Sequence, residues 1–168
     1  MSNIIQISDF DEGRFEISYN SFQEADLQSF IDLNEVEYLA NLLGAELYDL
    51  FIADLSAGVP QTQRFIDIYE AFLLQDECDL CQSRGMKEML KSFIYFHYVR
   101  DTYTRQTTNG VKQTTGENSV SLETVAHDFT SKYNKGVDTY RCIQKKICEN
   151  LDDYPEYKGI KLDYILPI

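Results

Sequence analysis

Between Leu122 and Leu151 an apolar side chain returns every three or four residues: Leu122, Val125, Phe129, Tyr133, Val137, Tyr140, Ile147 and Leu151, with Gln144 as the one polar interruption. This spacing places all of them on one side of an α-helix, and it is not the two-residue alternation of a strand. A helix of this length is about 45 Å long at about 1.5 Å per residue. Its apolar stripe must be covered by other elements, so the spacing predicts a bundle. Ser121 stands at the N-cap position. Asn134 and Gly136 mark where the helix would kink or split.

Other segments can supply the cover. Ser21 caps a short helix carrying Phe22, Leu27, Phe30 and Ile31, and Asn34 caps a second with Leu39, Leu42 and Leu43 on one face. Gly44 ends that helix or marks a close approach. The stripe resumes at Leu47, Leu50, Phe51 and Leu55 and stops at Gly58-Val59-Pro60. Phe65, Ile68, Tyr69, Phe72 and Leu73 have helical spacing, and the polar stretch from Asp76 to Ser83 reads as a loop. Ser83 then caps a long helix to about Arg105, with Met86, Leu90, Phe93 and His97 in one stripe and Met89 and Phe96 beside it. Arg84, Lys87 and Lys91, followed by Tyr95 and Tyr98, form another face, which is either solvated or presents Tyr and Lys to an acidic neighbour.

Three segments break the helical period. Phe15, Ile17 and Tyr19 alternate with Arg14, Glu16 and Ser18, so the first twenty or so residues read as extended chain after a turn at Asp11-Glu12-Gly13. Near residues 105–116 two threonine-rich arms flank Asn109-Gly110, the preferred pair of a type I′ hairpin turn. Those arms carry almost no apolar side chains, so the hairpin should project and gain order against another surface. After Asp152-Asp153-Tyr154-Pro155, Ile160, Leu162, Tyr164 and Leu166 alternate with Lys161, Asp163 and Ile165. That is strand spacing, and such an arm either folds back on its own domain or adds to a partner. The fold class is therefore mainly α: a helical bundle with long helices, a projecting Thr-rich β-hairpin and extended N- and C-terminal arms.

Composition narrows the function classes. Residues 1–60 hold 12 acids and one base, Arg14, whereas residues 84–146 hold 11 bases against 6 acids. An acidic half and a mildly basic middle suit either a solvated acidic surface that keeps the chain in solution or head-to-tail docking between copies. No dense basic patch of the kind that neutralises phosphates is visible. No apolar run approaches the roughly 20 residues that span a bilayer, and Met1–Ile7 lacks a signal peptide's basic and apolar regions, so a cytosolic protein is expected.

Catalytic and metal signatures are sparse. Cys78-Asp-Leu-Cys81 is the sharpest local motif, but zinc needs two further ligands at close range, and Cys142 and Cys148 do not share a helical face well. The pair lies in a polar stretch without the strand and helix of a thioredoxin-like motif, and four cysteines do not suggest a disulfide scaffold. His97 sits on an apolar stripe and His127 is isolated. There is no Gly-rich phosphate loop and no GxSxG elbow. The expectation is a protein without catalytic residues, cofactor or metal, working through protein contacts.

The order of segments carries a resemblance: Asn41-Leu-Leu-Gly-Ala-Glu-Leu-Tyr48, then Ser83-Arg-Gly-Met-Lys-Glu-Met-Leu90 opening a Tyr/Phe-rich helix that ends Tyr98-Val-Arg-Asp101, then the Asn109-Gly110-Val111 hairpin, a long helix and the Tyr154-Pro-Glu-Tyr157 tail. This resembles the head–tail connector (adaptor, head-completion) proteins of tailed phages, particularly those of crAss-like phages. The resemblance implies a virion protein made in the bacterial cytoplasm, with residues 1–150 as a helical adaptor domain and 151–168 as an extended arm. It implies a neck ring of identical copies, usually a dodecamer, beneath the portal, with DNA passing through as unread cargo and no membrane partner. The hairpin (Thr108, Asn109, Gly110, Val111) and the tail (Tyr154, Tyr157, Ile160, Leu162, Tyr164, Leu166) would touch neighbouring copies, the portal or the next ring. The competing expectation is an acidic DNA mimic or inhibitor that occupies a basic cleft on its target.

Overall fold

A computed structural model of the chain describes residues 4–17, 21–75, 80–103, 106–107, 110–111 and 122–165. Five α-helices lie among them: α1 (Ser21–Leu43), α2 (Ala45–Asp54), α3 (Gln63–Tyr69), α4 (Met86–Tyr103) and α5 (Leu122–Glu149). Three short antiparallel ladders connect or flank them: β1 (Leu55–Ser56) with β2 (Val59–Pro60), β3 (Phe72–Gln75) with β4 (Leu80–Ser83), and β5 (Gln106–Thr107) with β6 (Gly110–Val111). The chain is mainly helical, as the spacing predicts.

Helix α4 is the centre of the bundle, packed on α5 and on α1. Fully buried Phe93 stacks on Tyr38 at 4.1 Å between ring centroids and meets Tyr133 at 5.1 Å. Burying one such side chain contributes about 1.5–3 kcal/mol. Helix α5 runs unbroken through Asn134 and Gly136. Gly136 instead lets the two helices close: a Cβ there would lie 2.8 Å from the Phe93 ring and 2.9 Å from Ser92 Cβ.

Helix α1 is continuous where two helices were expected. Asn34 does not cap a second helix; it is buried mid-helix, and its Nδ2 donates to the Phe30 carbonyl at 2.8 Å. That bond satisfies the amide without breaking the ladder. Gly44, at φ 81°, ends α1.

The N-terminal segment is not an extended strand. It forms two 3-10 turns, Ile7–Phe10 and Gly13–Phe15, and Gly13 opens the second at φ +83°. The alternation is right about which side chains go in, since Phe15 and Ile17 are buried, but among the described residues no strand pairs this backbone. Ile17 N–H instead donates to the Phe10 carbonyl at 2.9 Å. Tyr19 lies outside the described residues. The segment covers part of the basic α4 face: Lys87 pairs with Asp9 at 2.8 Å, Lys91 Nζ lies 5.4 Å from the Phe15 ring centroid, and Tyr95 packs on Phe15. The acidic neighbour of that face is thus the chain's own N-terminal segment. Tyr98 is not on the solvent side either; it is buried edge-on against Phe30.

Residues 72–75 and 80–83 form a hairpin ladder in place of the expected helix end and loop. The register pairs Phe72 with Ser83 and Leu74 with Cys81, so Leu73, Gln75, Leu80 and Gln82 share the outer face. Cys81, on the inner face, is disulfide-bonded to Cys142 of α5, with a Cα–Cα distance of 5.6 Å. Cys81 is thus bonded to Cys142 and not to Cys78, its neighbour in the Cys78-Asp-Leu-Cys81 motif, and this one bridge does not make a disulfide scaffold. Cys78 lies outside the described residues, and Cys148 is free and exposed.

Candidate functional site

The C-terminal arm has a seat, and α1 makes the first part of it. The last carbonyls of a helix have no intrahelical partner. Two of those near the end of α1 are satisfied by the arm: Lys158 N–H donates to the Leu43 carbonyl at 3.2 Å and Ile160 N–H to the Asn41 carbonyl at 2.7 Å. The approach requires two glycines. A Cβ on Gly44 would lie 2.8 Å from the Lys158 backbone, and one on Gly159 would lie 2.1 Å from the Leu42 carbonyl oxygen.

Helix α5 makes the rest of the seat with side chains. Tyr140 Oη and Gln144 Nε2 donate to the Ile160 carbonyl at 2.7 and 2.9 Å. The Arg141 guanidinium donates to the Leu162 carbonyl at 2.9 and 3.0 Å and to Asp163 at 3.2 Å. Asn134 makes a reciprocal pair with Ile165, its amide donating to the carbonyl and its oxygen accepting from the N–H, both at 2.9 Å. Tyr164 Oη donates to Asp138 at 2.8 Å while its ring lies 4.1 Å from the Arg141 guanidinium. Polar side chains spaced along one helix thus take the place of a neighbouring strand.

The expected contact residues therefore divide. Tyr154 is a core residue: it is 3% exposed and its hydroxyl donates to the Arg64 carbonyl. It offers no contact surface, because the tail turns at residues 151–156 and folds the ring inward. Tyr157 is half-buried, and burial pushes the phenols of both Tyr154 and Tyr157 up to about 12. Leu162 and Ile165 pack on the core, while Ile160 (59% exposed) and Tyr164 (46% exposed) face outward. Leu166, Thr108 and Asn109 lie outside the described residues. In the β5–β6 ladder Thr107 pairs with Gly110 and Gln106 with Val111. Gly110 therefore stands in the ladder, one step from the expected Asn109-Gly110 turn pair.

A groove of about 360 Å³ lies beside the arm, between β4 and α5. Leu80 and Gln82 line it from the hairpin, Arg84 from the link between β4 and α4, Lys135, Asp138 and Arg141 from α5, and Tyr164 from the arm. Arg84 and Lys135 are exposed and form no ion pair among the described residues. A second cavity of about 270 Å³ continues along α5 past Lys135 and Asp138 to His127.

Sequence reasoning gave Asn134 another role, as a kink, and left Gln144 as an unexplained interruption of the apolar stripe; it passed over Arg141, because a charged position on a helix reads as its solvent side. The one available signal was Gly159, a residue without a side chain inside an otherwise alternating arm. Among the described residues no group of three or more His, Cys, Asp or Glu is placed to hold a metal ion, and no helix is long and apolar enough to cross a membrane. Comparison of the chain with family models, curated proteins and solved structures gave no match.

Proposed function

We propose that this protein is a structural adaptor that works as a ring of identical copies, placed in the neck of a tailed phage between portal and tail, with DNA passing through. The order of sequence segments directs the reading to the phage neck. The observation that carries its physical part is the segregation of charge. Residues 15–63 hold nine acids and no Lys or Arg. Three bases, Arg84, Lys135 and Arg141, meet instead at the groove beside the arm, against one acid in its lining, Asp138, and the Asp163 that pairs with Arg141. A molecule with two unlike faces makes heterologous contacts, and heterologous contacts between identical copies close into rings when the rotation allows. The outward Tyr164 lines the groove, and Ile160 adds exposed apolar surface on the same arm.

Light scattering after size exclusion tests the reading, on the protein alone and mixed with a portal. The expected result is a discrete ring or stoichiometric capture. A monomer that ignores the portal and binds a basic protein in a salt-sensitive way would instead establish the acidic-inhibitor reading.

A further inference from the structure

We infer that the groove between β4 and α5 is the receiving half of a self-contact, and that its occupant is the outer face of α1 of a second copy. The inference rests on the self-assembly reading above and names the two surfaces that meet.

The two faces match in two independent properties. The first is charge. The groove presents Arg84 and Lys135 without acidic partners among the described residues, and Asp138 on its wall already accepts a bond from Tyr164. Helices α1 and α2 carry no base at all, and exposed Glu37 lies on the outer side of α1. The second is apolar exposure. On α1, Leu33 is 66% exposed and Val36 is 43% exposed, one turn apart and next to Glu37. At the groove, Leu80 is 63% exposed, and Leu73 on the same outer face of the hairpin is 58% exposed.

Each face thus combines two aliphatic side chains with an excess of one charge, acidic on α1 and basic at the groove, where Asp138 is the one carboxylate against three bases. A contact of this kind buries the aliphatics at its centre and leaves the charges to set register and orientation. A nucleic acid could answer the charges but has no use for the leucines. Within one copy the two faces do not cover each other, since Leu33, Val36, Leu73 and Leu80 are all exposed.

The test uses sedimentation velocity at low ionic strength, where charge pairing between exposed groups is least screened, on the full chain and three variants. Arg84→Glu with Lys135→Glu should weaken self-association at least about tenfold, and so should Glu37→Lys with Leu33→Ser. All the substituted side chains are exposed, so circular dichroism and melting should match the unsubstituted protein. Mixing the groove-reversed chain with a chain carrying only Glu37→Lys should restore association, because each reversed face then meets its complement.

Groove-reversed chains that assemble as before would place the contact elsewhere and overturn the inference, leaving the ring reading in place. A full chain that stays monomeric at every concentration tested and is not captured by a portal would overturn both. Unchanged self-association together with lost binding of a short single-stranded DNA probe would make the groove a polyanion site and would likewise overturn the inference.

Discussion

Both ends of the described chain fold back onto the bundle, and they are held there by opposite means. The N-terminal segment is anchored from inside. Ile4, Ile5, Phe10 and Phe15 are buried, and the Ile4 and Ile5 N–H groups donate to the two carboxylate oxygens of Glu35 at 2.9 and 3.0 Å. The C-terminal arm is held mainly through its backbone, with Leu162 and Ile165 only partly buried against the core. Its backbone is bonded to two α1 carbonyls and to polar side chains of α5, while Ile160 and Tyr164 remain exposed. Apolar anchoring fails only when the core opens, whereas surface hydrogen bonds can be traded for equivalent bonds to another chain. The first end behaves as part of the domain, and the second is suited to respond to a neighbour.

The largest expected effect lies at the N-terminal end. Phe10→Ala should lower the unfolding free energy by about 3–5 kcal/mol, read from urea denaturation at constant slope. A loss below about 1 kcal/mol would mean the segment is only laid over the bundle, and the contrast with the arm would disappear.

Glu35 comes next. Glu35→Ala leaves two buried N–H groups unpaired and should cost about 2–4 kcal/mol. The pH dependence separates the carboxylate's bonding from its charge. Burial raises the Glu35 pKa, and the bonds from Ile4 and Ile5 oppose that rise only in part. The folded protein therefore holds the proton more tightly than the unfolded chain. Stability from this group is complete below the unfolded value, about 4.3, and is lost as pH rises through the higher folded value. Glu35→Gln should remove that slope from a series of denaturation curves. A wild-type slope of opposite sign in that window would mean the two N–H bonds outweigh burial.

At the arm the effects should be smaller and local. Gly159→Ala puts a Cβ against the Leu42 carbonyl and should lift the arm at a cost of about 1–3 kcal/mol. Hydrogen exchange should show lost protection at Ile160 and Ile165 with little change inside α4. Global unfolding in step with the arm would show that the arm is part of the core and not a surface strap. Asn134→Ala removes both bonds to Ile165 and should cost about 1–2 kcal/mol, with lost protection confined to the arm around Ile165.

The same contrast explains what could be read from the sequence. The α5 stripe was legible because Tyr133, Val137, Tyr140 and Ile147 are all buried at helical spacing. The α1 break was misread because Asn34 looks like a cap, and only the three-dimensional setting shows its side chain bonded within the helix. Leu73 and Leu80 were misplaced because hairpin pairing, not local pattern, decides their exposure. The arm's apolar alternation was visible, but its direction was not: Leu162 and Ile165 face inward although they stand at opposite phases of the two-residue period. A segment bonded irregularly to a helix need not keep a strand's alternation.

Ile160 provides the smallest effect on folding and the sharpest separation of the two ends. Its backbone carries three of the arm's hydrogen bonds, to Asn41, Tyr140 and Gln144, while its side chain is 59% exposed. Ile160→Ser leaves those bonds in place and should change stability by no more than about 0.5 kcal/mol. If the arm is a contact surface, the same substitution should weaken self-association or portal capture, measured by light scattering at matched concentration. If the side chain serves only the domain, assembly will not change, and the outward face of the arm will have no part in the contact.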